Sequence, residues 1–453
     1  MKQLSILENG DGLFNTHVTL QDVQEVIQEQ LNTKSILGKN TKYILIGEGN
    51  VSAFSNSKGI MSRIILVEPD WTVDADHLPS KFVLKIPYCV HFQGLIRQMM
   101  GSNSMSKEQE AGLMMMLEAE SHGVHNREVN MNTILEKWEK GETLLNSKIY
   151  FSKKFDSDNK SKGFIGMEYV ENSVVRHLYV NVKPIELYPV LKSLAYFQAG
   201  TLQLNEEEKN SISGFDFAKM AGPALTADGI KGILQQARLI NLEKLDEKVK
   251  KIEDFGHGVV NFELACNLNK YVGINQPVLV HGDLWSTNIL WKERNGKPIA
   301  DKIIDYAVSR PRLVNIFETY IIHGIHMGNP AEDIVRLFVS TLSGADRQTH
   351  WKHLLNQFYI YFLEALQSEK APYTLDQLKE SYRCYFVTGG LALLPLFGPV
   401  TQGKLMMCSE NEDKEGYKRV ITEKMERLLD DIEKYHLLSR NVTKSYKKPV
   451  ARN

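Results

Sequence analysis

Cysteine is scarce in this chain: Cys89, Cys266, Cys384 and Cys408 are the four in 453 residues. They lie far apart, with no CxxC pair and no Cys/His cluster. That argues against a disulfide framework or a zinc site and fits a reducing compartment. A surplus of either charge is also lacking. Lys and Arg number 54 against 55 Asp and Glu, so no bulk field favours nucleic acid or an anionic membrane. Long apolar runs are missing too. The most apolar window, residues 389–400, is short and carries Pro395 and Pro399, too little to span a bilayer as a helix. The opening MKQLSILENGDGLF lacks the apolar stretch of a signal peptide. From these absences we expect a soluble, cytoplasmic protein with no nucleic-acid partner and no membrane span.

What the chain does have is an ordinary globular composition, 43% hydrophobic and 24% charged, enough to bury a sizeable core. Its length fits one large domain or two to three smaller ones. The first third alternates helix and strand signals. Thr19 can cap a short helix with Val23, Val26, Ile27 and Leu31 on one side. Strand-like runs follow at residues 43–46, 61–67 and 82–86, the first two linked by a stretch rich in Gly, Asn and Ser. A helix is expected from about Arg127 to Lys140, with strands at 148–151 and 164–169. The Met-rich stretch 99–116 fits no element by its pattern. After Val170 the texture turns helical. Leu187, Leu191, Leu194, Gln198 and Leu202 fall at helical spacing, and Ile421, Met425, Leu428, Ile432 and Tyr435 mark an amphipathic helix near the end. Residues 439–453 hold five basic side chains and no acid, and read as a frayed tail.

The most informative segment is PVLVHGDLWSTNILWKERNGKPIADKIIDY, residues 277–306. An apolar strand runs into His281-Gly282-Asp283. Asn288 follows five residues after Asp283, and a second apolar strand begins there. Asn295-Gly296 is a strong hairpin signal. With a two-residue turn Arg294 faces Lys297 and, counting back, Asn288 falls opposite Ile303. Asp305 then emerges at the same end of the hairpin as Asn288, close to the loop that carries Asp283. Two carboxylates and one amide oxygen converge at a strand end. A hard cation such as Mg²⁺ takes such an all-oxygen set and keeps room for water and phosphate oxygens.

Lys85 is the second clue, because it interrupts Phe82-Val83-Leu84-Lys85-Ile86, a run that otherwise reads as buried. An unpaired buried charge costs several kcal/mol, so it needs an anionic partner. Glu128, Met131, Leu135 and Trp138 are spaced 3, 4 and 3 and share one helix face. Glu128 paired with Lys85 resolves both anomalies and leaves the lysine aimed at a negative group such as a phosphate.

These residues resemble the protein-kinase-like fold in its small-molecule branch, the choline kinase and aminoglycoside phosphotransferase group. Within that group the chain is most similar to the CHK kinase-like, ecdysteroid-kinase-like proteins of nematodes and insects. LVHGDLWSTNIL looks like the catalytic loop, IIDY like the metal-binding strand end, and GNPAEDIVRLF (328–338) like the helix start that follows. FVLKIP and HNREVNMNTILEKW look like the lysine strand and the glutamate helix. The resemblance implies an α+β, bilobal fold: a small sheet-rich N-terminal lobe (1–170), a larger helical lobe (171–438) and the basic tail (439–453). It implies ATP and Mg²⁺ as cofactors and a small-molecule hydroxyl as acceptor, steroid-like or a xenobiotic.

By the same resemblance Asp283 would be the catalytic base, and Asn288 and Asp305 would hold Mg²⁺. Lys85, held by Glu128, would contact the α- and β-phosphates. Met167, Glu168 and Tyr169 would bind adenine through the main chain, and Gly47 and Gly49 belong to the glycine loop. His281 and Asp333 would organise the catalytic loop. The stretch 307–325, AVSRPRLVNIFETYIIHGI, separates IIDY from GNPAEDIVRLF, where the group has only a few residues. That insert motivates a second reading, a pseudokinase with impaired catalysis. A third is a protein kinase, against which stand HGD in place of HRD and the lack of DFG and APE.

Overall fold

The computed structural model describes residues 4–47, 61–73, 76–91, 106–138, 143–213, 227–306, 324–367, 370–409 and 412–446. They fall into two units. The first takes the chain through Lys137 together with Asn146–Asn172, and the second takes Trp138–Leu145 and most of the chain from Ser173 onward.

The first unit is built on five antiparallel strands: β1 (Lys42–Gly47), β2 (Ser62–Glu68), β3 (Phe82–Pro87), β4 (Ile149–Lys153) and β5 (Phe164–Glu168). Their order is β1-β2-β3-β5-β4. Alternation decides which side chains turn inward. Along β3, Phe82, Leu84 and Ile86 are fully buried while Val83 and Lys85 are only half covered. Helix α1 (Leu20–Gln30) starts at Thr19, whose hydroxyl accepts from the Asp22 amide while the Asp22 carboxylate accepts from the Thr19 amide. This reciprocal cap lets Val23, Val26 and Ile27 pack on Ile65, Val67, Phe82 and Leu84.

Helix α2 (Lys107–Lys137) begins twenty residues before the start expected at Arg127 and takes in the methionine stretch from residue 107 onward. Its early turns carry no clean apolar stripe: Met114 and Leu117 are buried, whereas Met115 is 73% exposed. Periodicity therefore missed it. The amino-terminal segment lies across this part of the helix. The Ile6 amide donates to Glu118 Oε1 at 3.1 Å, and the Cys89 amide donates to the Ile6 carbonyl at 3.0 Å. Ile6 and Leu7 close a cluster with Cys89, Met114, Leu117 and Phe155.

In the second unit β6 (Val174–Val175) pairs with the hairpin of β8 (Ile289–Arg294) and β9 (Lys297–Ile303). Separately, β7 (Val278–Val280) pairs antiparallel with β10 (His326–Gly328). The longer helices are α3 (Tyr188–Ala199), α4 (Ala227–Ile240), α5 (Leu242–Glu253), α6 (Glu332–Thr341), α7 (Gly344–Leu366), α8 (Leu375–Met407) and α9 (Lys414–Tyr446). Helix α6 is central, with Ile334, Val335, Leu337, Phe338 and Val339 all fully buried. Helix α9 buries Ile421, Met425, Leu428, Ile432 and Tyr435 and runs through Tyr446, past the boundary at residue 438 drawn from the sequence. Among the described residues no single helix is long and apolar enough to cross a membrane. The bent pair Leu375–Leu394 and Leu396–Met407 passes by length and composition, but its Leu391, Leu393, Leu394 and Phe397 are buried inside the unit.

Candidate active site

In the first unit Lys85 sits mid-strand on β3, opposite Ile64 of β2 and Ile165 of β5. Its ammonium donates to both carboxylate oxygens of Glu128, at 2.9 and 2.7 Å. The side chains are 15% and 5% exposed, so the pair is shielded from screening by solvent. Glu128 shares its buried helix face with Met131 and Leu135, and the helix ends at Lys137, one residue short of the Trp138 expected on that face. Met167 and Glu168, at the end of β5, face Val83 and Phe82. The Glu168 amide donates to the Lys148 carbonyl at 2.8 Å, and the Lys148 amide donates to Glu168 Oε2. Tyr169 follows directly after the strand. Gly47 closes β1 with an irregular pairing to Ile64. Gly49 lies outside the described residues.

In the second unit β7 delivers the loop His281-Gly282-Asp283. Gly282 has φ +79, and a Cβ there would come within 2.3 Å of the Gly324 carbonyl oxygen, so only glycine fits. Asp333, at the start of α6, accepts the His281 amide at 2.7 Å and the Gly282 amide at 2.9 Å. It is fully buried, and that burial pushes its carboxyl up to about 6 despite the two donors. The Asp283 amide donates to His281 Nδ1, which leaves Nε2–H to donate to the Ile304 carbonyl, both at 3.2 Å. His281 is thus a neutral tie between the loop and the end of β9. Burial holds its pKa down at about 4.

Asn288 turns its side-chain amide onto Asp283, reaching both the main-chain carbonyl and Oδ2 at 2.8 Å. The other Asp283 oxygen, Oδ1, lies 3.7 Å from Arg336 Nη1 on α6. The hairpin register differs by one from the count. Arg294 faces Lys297, but a bulge between Leu290 and Trp291 brings Ile289, not Asn288, opposite Ile303. Convergence survives, because the Ile304 amide donates to the Asn288 carbonyl at 3.0 Å. Asp305 follows at φ +66, a left-handed conformation that costs a non-glycine residue about 1 kcal/mol.

These groups suit a hard divalent cation. Asn288 commits its amide hydrogens to Asp283, which leaves its oxygen for a cation, and the Asp305 carboxylate follows two residues after the end of β9. Among the described residues no group of three or more His, Cys, Asp or Glu forms a ready-made metal cage. Two protein oxygens plus phosphate and water are what Mg²⁺ accepts. Most of the insert expected at 307–325 lies outside the described residues; Gly324 and Ile325 return the chain to β10. Reading the sequence missed Arg336 and Ser340. Both stand inside the quoted GNPAEDIVRLF helix or just beyond it, where a polar residue passes for a solvent-facing one.

A family model, DUF1679, described as "Uncharacterized oxidoreductase dhs-27", matches residues 6–440. The chain is 23% identical over 212 residues to the uncharacterized kinase-like protein D1044.1 of Caenorhabditis elegans, covering 44% of this chain and 46% of that protein. It thus spans about half the length of the curated relative it matches. A choline kinase from Cryptosporidium parvum is 12% identical with TM-score 0.42, covering 89% of this chain and 91% of that one. An ethanolamine kinase from Plasmodium vivax is 14% identical with TM-score 0.38, covering 85% and 82%. The GDP complex of wild-type aminoglycoside 2′-phosphotransferase-IIIa is 13% identical with TM-score 0.38, covering 91% and 98%. This chain belongs to the DUF1679 family.

Proposed function

We propose that this protein transfers a phosphoryl group from ATP to a hydroxyl of a small molecule. The observation that carries the reading is the clasp of Asp283 by Asn288 in a loop anchored on Asp333. The kinase-like description of the Caenorhabditis elegans relative points the same way. In this mechanism Asp283 orients the acceptor hydroxyl and accepts its proton as the oxygen bonds to the terminal phosphorus and the bond to ADP breaks. Phosphoryl transfer needs mainly positioning and charge neutralisation. Lys85, fixed by Glu128, would supply positive charge to the α- and β-phosphates. Mg²⁺, held by Asn288 and Asp305, would neutralise phosphate oxygens. Main-chain groups of Met167, Glu168 and Tyr169 would receive adenine, with Gly47 and Gly49 near the phosphates. His281 and Asp333 hold the loop. The acceptor class, steroid-like or xenobiotic, and a cytoplasmic location belong to the same proposal.

Thermal shift with Mg²⁺ and ATP, on the wild type and on Asp305→Ala, tests it. Binding to the native state raises the melting temperature. The expected result is a wild-type shift that needs Mg²⁺ and disappears in the variant, after which a screen of small alcohols identifies the acceptor. A folded wild type that shows no shift overturns the reading and favours a pseudokinase.

A further inference from the structure

Helix α6 meets the catalytic loop at three points on one face. Asp333 takes the amides of His281 and Gly282. Arg336, one turn on, reaches the Asp283 carboxylate. Ser340, another turn on, accepts the Ser286 amide at 3.1 Å. Spacings of three and four residues stack these side chains in a row. The far end of the helix is tied as well, since buried Lys424 donates to the carbonyls of Ser340 and Thr341 at 3.0 and 3.3 Å.

We infer that Arg336 is a positioning residue for Asp283, an inference that rests on the reading of Asp283 as the base. Both side chains are 6% exposed. A buried guanidinium is costly unless an anion compensates it. Among the described residues the one ion pair of Arg336 is with Asp283 Oδ1. Asn288 grips Oδ2. A carboxylate held at one oxygen can still rotate about its terminal bond, and a second contact fixes its plane. The two oxygens of Asp283 are held from two elements: Oδ2 from the loop itself, and Oδ1 from the helix that also anchors the loop backbone. Side chain and backbone of the base are therefore referenced to one rigid body. At 3.7 Å the contact is ionic, so charge matters more than the fork of the guanidinium. A lysine can replace it in part, and a methionine of similar bulk cannot.

The test uses the full chain with Mg²⁺ and ATP, water serving as the acceptor, and reads phosphate release. Asp283→Asn reports on the base: its loss of turnover supports the proposed function, and unchanged turnover overturns that function together with this inference. Arg336→Met is expected to lower kcat by about a hundredfold, the scale of a misplaced reacting group, with the KM for ATP little changed. Arg336→Lys is expected to recover much of that loss. If Asp283→Asn is dead while Arg336→Met keeps its kcat, the inference fails and the function stands. A raised KM at unchanged kcat, or Arg336→Lys no better than Arg336→Met, also overturns it. Crystal structures of the wild type and Arg336→Met give a readout free of activity. A rotated Asp283 carboxylate on an unmoved loop backbone supports the inference, and an unmoved carboxylate overturns it.

Discussion

Asn288 donates its side-chain amide twice to a single residue, to the carbonyl oxygen and to the carboxylate Oδ2 of Asp283, each at 2.8 Å. The loop from 283 to 288 is closed on itself by that amide. An Asn288→Asp substitution would set carboxylate against carboxylate and strip two donors from a buried site. We expect it to destabilise the protein by about 2 kcal/mol or more, and by more than Asn288→Ala, which removes the donors without adding a charge. Thermal melting of the two variants side by side checks the order.

Lys85 and Glu128 make a different prediction, because each is costly without the other. Lys85→Met takes the ammonium away from the buried Glu128 carboxylate and should cost about 3–5 kcal/mol. Adding Glu128→Leu to it should restore stability rather than lower it further. Melting temperatures of the two single variants and the double variant decide the matter. Additive losses would mean that the pair is not coupled.

Gly282→Ala should be among the most damaging single-methyl changes in the loop. The left-handed backbone alone costs about 1–3 kcal/mol. The added carbon would also meet Gly324 backbone atoms at 2.3, 2.7 and 3.0 Å, which a rotamer change cannot relieve. Loss of Mg²⁺-dependent ATP binding with a lowered melting temperature is the expected outcome, measured by calorimetry.

His125 sets an acid limit on the first unit. Its Nε2–H donates to the Lys153 carbonyl at 2.8 Å, and burial holds its pKa down at about 4. The unfolded chain takes up this proton near 6.5 and the folded chain only near 4. Between those values the unfolded state binds more protons, so stability falls as pH falls. Asp333 runs in the opposite sense, since its raised pKa lets the folded state take the proton first. In His125→Gln the acid-side loss should shrink by on the order of 2–3 kcal/mol. Melting curves of the variant and the wild type from pH 7 to 4 show whether they converge.

Much of the site was legible because it sits on short local signals. Asn295 and Gly296 both adopt left-handed conformations, φ 54 and 69, as a two-residue hairpin turn demands, and this fixed Arg294 opposite Lys297. The bulge between Leu290 and Trp291 left no trace in the residue pattern, since it arises from twist rather than from polarity. The early part of α2 was illegible for the opposite reason: Met114, Met115 and Met116 look alike in sequence, yet only Met114 is buried. Arg336 was hidden because its partner lies fifty-three residues away, on a loop that only the tertiary fold brings to it.

The strand order of the first unit has a consequence for synthesis. Strand β5 is the last of the five to leave the ribosome, yet it is inserted between β3 and β4. Until Phe164–Glu168 emerges, β3 has an open edge and β4 has no partner in the sheet. All of α2 is translated during that interval. An open strand edge on the strand bearing Phe82, Leu84 and Ile86 is a template for association with other chains. Slow translation between β3 and β5 therefore carries a solubility hazard that vanishes in the finished protein.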